Sequence, residues 1–343
     1  MIKNGIKTGR LMFQLAVYFM LLLFIIAFFH RGFSSGLGEV LVNKRFIVPG
    51  LSDAGTTSME RAQKHLTEPV TLENCKKGED LVGRIYVNQS SITWEKLKEE
   101  LKFIKPGGYF SPPDCTPTVK AAIIIPYRDR DAHLKVFLRQ IHPMLRRQKI
   151  FFQIFVIEQA DENRFNRGKL MNVGFAEALK RLNFSCFIFH DVDLIPEDDR
   201  NFYGCHLSPA HMSVAVDKFK YELIYQTLFG GVVMFTKSDF EKVNGFSNAF
   251  WGWGAEDDNL YQRLGQNGLV MKRPAIEKAR YTMIKHSEAP KSDERFKTLK
   301  EAVSHTQKDG LNSLEYRVTD SYEHDLYTKI SVNLLRNAPS DSA

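Results

Sequence analysis

Residues 119–125 (VKAAIII) form a near-continuous apolar run of the kind that is buried on both faces of a parallel sheet. The run stops at Pro126-Tyr127-Arg128-Asp129-Arg130. Leu134, Phe137, Ile141 and Leu145 then recur at helical spacing, and residues 151–157 form a second apolar run. Met171, Phe175, Ala178 and Leu182 mark another amphipathic helix, which leads into a third run, CFIFH, at residues 186–190. Strand, helix, strand, helix, strand predicts an α/β fold built from βαβ units. Ligands in such sheets gather at the carboxyl ends of strands. Those ends are residues 126–130 and Asp191-Val192-Asp193.

Further along, residues 212–216 and 232–235 are apolar, and a short helix is expected from about Lys237, stopped by Gly245. Glu256-Asp257-Asp258 opens another helical stretch, with Leu260 and Leu264 about one turn apart. Beyond Tyr281 the periodicity weakens. Residues 286–296 (HSEAPKSDERF) read as a polar, mobile loop.

Near the start, residues 11–29 are apolar except for Gln14 and the Tyr18 hydroxyl. As a helix they span roughly 28 Å, enough to cross a bilayer. The segment is longer than the apolar part of a usual signal peptide, and it ends in Phe28-Phe29-His30-Arg31 without a small-residue cleavage site. An uncleaved anchor is therefore expected, with residues 1–10 as a cytosolic tail. Lys3, Lys7 and Arg10 precede the span and place the rest on the far side of the membrane. Residues 30–72 lack sustained periodicity and suggest a stem, leaving 73–343 as the folded domain.

Composition adds three points. At 43% hydrophobic and 25% charged, the 343 residues suit a globular domain. The net charge of +7 is scattered rather than clustered, which argues against a nucleic-acid partner. The four cysteines, Cys75, Cys115, Cys186 and Cys205, all follow the apolar span and lack CxxC spacing, so they read as two disulfides in an oxidising compartment. Counting alone leaves three pairings open. Asn88 and Asn183 head glycosylation sequons that fit the same compartment.

Candidate chemistry concentrates in residues 225–258 (YQTLFGGVVMFTKSDFEKVNGFSNAFWGWGAEDD). A glycine pair admits close approach of backbone to ligand, the tryptophans offer flat apolar faces, and the three acids supply candidate general bases. Three acids together are expensive to bury, so this loop is expected to be accessible and to suit a carbohydrate. Asp191 and Asp193, after a buried strand, suit a divalent ion bridging to a diphosphate. Arg128, Arg130 and Arg167 lie where guanidinium forks reach phosphate oxygens. His286 is a possible metal ligand, whereas Met283, a soft thioether, reads from chemistry alone as core.

Taken together, IIIPYRDRDAHL, FNRGKLMNVGF, FIFHDVDLIPEDDRNFYGC, the 225–258 stretch, MIKHS and DGLNSLEY resemble the β1,4-galactosyltransferase family of inverting, manganese-dependent Golgi glycosyltransferases. The resemblance implies a Golgi type II membrane protein with a lumenal GT-A (Rossmann-like) domain. It implies Mn2+ at Asp193, Met283 and His286. The nucleotide side of the site would comprise Pro126, Tyr127, Arg128, Arg130, Phe165, Arg167 and Val192. Asp257 would be the catalytic base, Trp253 and Glu256 would contact the sugars, and Asp258, Phe219, Tyr225, Arg295 and Phe296 would serve the GlcNAc-terminated acceptor. The implied disulfides are Cys75 with Cys115 and Cys186 with Cys205. Closure of residues 286–296 over the donor would exclude water.

One residue departs from the family pattern. Galactosyltransferases of this family carry Tyr two residues before the Gly-Gly pair, whereas this chain has Leu228. Leucine leaves room and an apolar wall for an acetamido methyl, so the expected donor is UDP-GalNAc and the product GalNAcβ1,4GlcNAc. UDP-Gal is the competing donor, with Leu228 then a neutral change. Ala255, where many relatives have Gly, is a smaller departure. A non-catalytic sugar-binding protein on the same fold is the reading from another class, and the presence of Asp193, His286 and Asp257 together opposes it.

Overall fold

The computed structural model describes residues 72–76, 78–287 and 290–336. The expected tail, the anchor at 11–29 and the stem up to residue 71 lie outside the described residues. Among the described residues no helix is long and apolar enough to cross a membrane. In chain order the elements are α1 (Trp94–Glu100), β1 (Tyr109–Phe110), β2 (Lys120–Tyr127), α2 (Asp131–Arg147), β3 (Phe151–Gln159), α3 (Arg167–Arg181), β4 (Cys186–His190) and β5 (Leu194–Pro196). They continue with β6 (Ala210–His211), β7 (Ala215–Val216), β8 (Val232–Thr236), α4 (Lys237–Lys242), α5 (Glu256–Gln266), β9 (Arg280–Met283), α6 (Arg295–Ser304), β10 (Arg317–His324) and β11 (Tyr327–Asn333).

The main sheet runs β10-β11-β3-β2-β4-β8-β6, with β1 added along β3. Its centre is parallel, β11 to β3 to β2 to β4, and β8 returns antiparallel to β4. Strand β2 shows why the apolar run is continuous. Ala121, Ile123 and Ile125 face one core cluster, and Ala122 and Ile124 face the other. Helix α3 packs closely on this strand because it carries Gly174, where a β-carbon would stand 2.3 Å from Ile124 Cγ2. Its start is fixed by the buried Asn166, whose side chain accepts from Lys169 N at 2.9 Å.

A second, three-stranded sheet, β5-β9-β7, lies beyond the end of β4. Of the apolar residues 212–216, only Ala215 and Val216 form a strand, β7 of the small sheet, while β6, just before them, joins the large one. Residues 286–296 also differ from a wholly mobile loop. Arg295 and Phe296 open α6, a helix in which only Ala302 is buried, so its apolar periodicity is faint. Ser292 N donates to Trp253 O at 3.1 Å, tying the preceding residues to the tryptophan loop. The C-terminal hairpin β10–β11 has no counterpart in the sequence pattern.

Both disulfides, Cys75–Cys115 and Cys186–Cys205, pair as the resemblance implies. Asn183 is exposed between α3 and β4. Asn88 is half-buried and accepts from Ser90 N and Oγ at 3.0 and 2.7 Å.

Candidate active site

The carboxyl end of β4, the segment entering β8 and the first turn of α5 meet at Arg167. Its Nε donates to Asp191 Oδ1 at 2.6 Å, its Nη2 to Gly231 O at 3.1 Å, and its Nη1 lies 3.5 Å from Glu256 Oε1. The guanidinium is therefore engaged within the protein, binding the glycine pair to both acidic segments. Burial opposes its charge, yet Asp191 and Glu256 raise its pKa above the ordinary arginine value.

Contrary to the accessible acidic loop expected, the Glu256 side chain is only 13% exposed. Burial and the neighbouring Asp257 push its pKa up to about 7, against the pull of Arg167. Asp257 is raised as well, by burial and by Asp258. Burial likewise takes Asp191 to about 6. Three carboxylates at the start of α5 are tolerable because the helix N-terminus and Arg167 both favour negative charge there. The residue before them, Ala255, has φ +73°, a left-handed conformation that a β-carbon disfavours.

Asp257 stands over the glycine pair: a β-carbon on Gly230 would lie 2.5 Å from its Oδ2. Its Oδ1 accepts from Asp258 N at 2.9 Å, while Asp258 Oδ1 accepts from the Tyr225 hydroxyl at 3.2 Å. Tyr225 is exposed, as are Trp253 and Phe296. The Arg295 guanidinium sits 4.4 Å from the Phe296 ring centroid, and its Cδ would lie 2.9 Å from a β-carbon on Gly254, so it packs against the tryptophan loop. Tyr225, Asp257, Asp258, Trp253, Arg295 and Phe296 thus flank the start of α5. Phe219 ends the turn after β7 and is partly buried against the core. Leu228 is half-buried between Tyr225 and Gly230.

At the end of β2, Arg128 donates to Asn163 O and Asp161 O at 2.9 and 2.8 Å, with its guanidinium 5.6 Å from the Phe165 ring centroid. Arg128 therefore fixes the loop that presents Phe165. Pro126 and Tyr127 complete β2, Arg130 supplies the carbonyl that starts α2, and Val192 is buried between the two aspartates.

Antiparallel pairing of β5 with β9 sets Met283 opposite Leu194, and Ile284 N donates to Asp193 O at 2.8 Å. Asp193, Met283 and His286 are brought together by this register. His286 Nδ1 lies 2.8 Å from Ser287 O, which only accepts, so Nδ1 carries a proton. The other nitrogen, Nε2, lies 2.7 Å from Asp193 Oδ2. The two atoms stand at ordinary imidazole–carboxylate contact distance, and a ring nitrogen beside a carboxylate oxygen is a donor set of the kind that divalent transition ions take. Among the described residues no three His, Cys, Asp or Glu side chains cluster around one point, and Met283, paired opposite Leu194, is the thioether that the register sets near the pair.

Sequence reasoning missed Gly230 as the floor beneath Asp257, the internal ion pairs of Arg167, and Arg273, which holds the turn carrying Leu228 through Gln226 O and Leu228 O at 2.8 and 3.1 Å. The Gly-Gly pair signalled the first, while no local pattern marks the other two.

Residues 75–206 match the N-terminal region of glycosyl transferase group 7, and residues 210–287 match the N-terminal domain of galactosyltransferase. The chain is 41% identical to β-1,4-galactosyltransferase 2 of Cricetulus griseus over 290 residues, covering 83% of this chain and 79% of that protein. It is 46% identical to β-1,4-galactosyltransferase 1 of Homo sapiens over 262 residues, covering 74% and 65%. The crystal structure of the catalytic domain of Drosophila β1,4-galactosyltransferase 7 in complex with xylobiose superposes with a TM-score of 0.55 at 29% identity, covering 64% of this chain and 96% of that one. A point mutant of the same enzyme, in complex with manganese, UDP-Gal and xylobiose, gives 0.54 at 28%, with the same coverage. The α/β core is accordingly of the GT-A-like glycosyltransferase type, and the chain belongs to the β1,4-galactosyltransferase family.

Proposed function

We propose that this protein is a manganese-dependent, inverting transferase that moves a galactose-configured sugar from a UDP donor to the 4-hydroxyl of a GlcNAc-terminated glycan. The observation that carries this reading is Asp257, a carboxylate of raised pKa poised over Gly230 beside the exposed Tyr225 and Trp253. Asp257 accepts the proton of the acceptor hydroxyl as that oxygen attacks C1 of the donor sugar. The C1–O bond to the diphosphate breaks on the opposite face, and UDP leaves. Asp193, Met283 and His286 would hold Mn2+, which when bound would supply charge neutralisation for the diphosphate. Phe165, presented by Arg128, and residues 126–130 hold the nucleotide. Arg167 acts by fixing Asp191, Glu256 and the glycine pair.

The donor's 2-substituent has two readings. UDP-Gal is the one that the relatives' names support, since those compared above are all galactosyltransferases, and by comparison it is the better supported. Leu228 is the specific observation that favours UDP-GalNAc, because an aliphatic side chain leaves an apolar wall where a tyrosine hydroxyl would stand. Transfer rates from the two donors to one GlcNAc acceptor decide between them. Preference for UDP-GalNAc, moved toward UDP-Gal by Leu228→Tyr, upholds the second reading; preference for UDP-Gal ends it. The proposed location is the Golgi membrane, with residues 11–29 as anchor and the catalytic domain lumenal, to be checked by protease protection in sealed vesicles.

A further inference from the structure

The segment that carries Leu228 and Gly230 is held by its carbonyl oxygens, and one side chain holds two of them. Arg273 Nη2 donates to Gln226 O at 2.8 Å and to Leu228 O at 3.1 Å. Its Nε lies 3.3 Å from His211 Nδ1, which accepts, leaving the proton of the neutral imidazole on Nε2. That Nε2 lies 3.4 Å from Ser213 Oγ. Ser213 Oγ donates to Gly230 O at 3.1 Å and accepts from Val232 N at 2.9 Å. Arg273 thus grips residues 226 and 228 directly and residue 230 through His211 and Ser213. The next carbonyl, Gly231 O, is taken by Arg167.

A guanidinium that binds neutral carbonyls within a loop fixes backbone position. The two carbonyls flank the residue before Leu228 and Leu228 itself, so loss of Arg273 frees the Cα whose side chain faces the choice of donor. Arg273 is anchored independently of the loop: Lys272 N donates to Pro209 O and His211 N to Lys272 O, both at 2.9 Å, which docks its backbone alongside β6.

We propose that Arg273 is a positioning residue for donor selection, acting through Leu228. The inference rests on the reading of residue 228 as the donor-selecting position. The test compares kcat and KM for UDP-Gal and UDP-GalNAc in the full-length protein, in Arg273→Met, Arg273→Lys and Leu228→Tyr, and in Arg273→Met combined with Leu228→Tyr. Arg273→Met should bring the ratio of the two kcat/KM values about tenfold closer to one, the change expected when about 1.4 kcal/mol of discrimination is lost. Arg273→Lys, whose ammonium still reaches one carbonyl, should keep part of the ratio. The ratio effect of Leu228→Tyr should shrink in the Arg273→Met background, since the two act as one unit. A proportionate fall for both donors, with the ratio unchanged, overturns the proposal and leaves Arg273 a structural residue. If turnover is too slow in a variant, the ratio of UDP-Gal to UDP-GalNAc dissociation constants by calorimetry decides in the same way. Which donor the unmodified protein prefers tests the reading of Leu228; whether Arg273 changes that preference tests this inference.

Discussion

Gly230 and Asp257 occupy touching positions: a β-carbon on the glycine would stand 2.5 Å from the carboxylate Oδ2. No side chain fits there without displacing the proposed base. Gly230→Ala should therefore leave the fold intact and lower kcat by about 100-fold, the cost of shifting a reacting group by about 1 Å. Asp257→Asn should lower kcat by about 100-fold to 10,000-fold, with UDP affinity retained. Steady-state rates with calorimetric UDP binding check both, and unchanged kcat in either variant would contradict the placement of Asp257.

The cation site makes a separate prediction. Chelation of divalent ions should abolish transfer, and added Mn2+ should restore it. His286→Gln should weaken Mn2+ binding by about 10-fold to 100-fold, read from the electron paramagnetic resonance signal of free Mn2+ without any donor present. Binding as tight as in the unmodified protein would remove His286 from the site.

Acid should destabilise the fold through histidines buried as neutral rings. Burial lowers the pKa of His142, His190 and His211 to about 3. His142 Nε2 pairs with Leu326 O at 2.9 Å, and His190 lies between Asp191 O and the Tyr203 hydroxyl at 2.9 and 3.0 Å. The unfolded chain takes up protons at these rings below about pH 6.5, where the folded chain does not. Their stabilisation is thus complete above that pH and is lost as pH falls toward 3, at up to about 1.4 kcal/mol per histidine per pH unit. The carboxylates of raised pKa, Asp191, Glu256 and Asp257, act in the opposite sense over this range, so the check is by variant. The change in urea midpoint from pH 7.5 to 5.5 should be less unfavourable in His142→Gln than in the unmodified protein, and an identical change would refute the assignment.

Ala255 holds a left-handed backbone immediately before the three acids. Ala255→Gly should relieve about 1 kcal/mol of strain, offset in part by the greater freedom of glycine in the unfolded chain. A small rise in thermal midpoint is the expected result, and a fall would show that the alanine side chain packs favourably.

Much of this architecture can be read from the chain, for identifiable reasons. Strands β2, β3 and β4 are buried on both faces, and α2 and α3 each turn a regular apolar stripe inward, so their periods survive in the sequence. Strand β10 is exposed along seven of its eight residues, and RVTDSYEH looks like a loop until β11 pairs with β3, far earlier in the chain. The same distinction runs through the site. Asp193, Asp257 and His286 lie in recognisable local patterns. The clasp of Arg167 on Asp191 and Glu256, and that of Arg273 on Gln226 and Leu228, join residues distant in sequence, where no local spacing marks the pair.

The central claim is inverting transfer to a 4-hydroxyl with Asp257 as the base. Its most direct test is the structure of the product formed by the full-length protein with Mn2+, UDP-GalNAc or UDP-Gal, and a GlcNAc-terminated acceptor, solved by nuclear magnetic resonance. A β1,4 linkage is the expected result. An α linkage, attachment at another hydroxyl, or no transfer from either donor would contradict it.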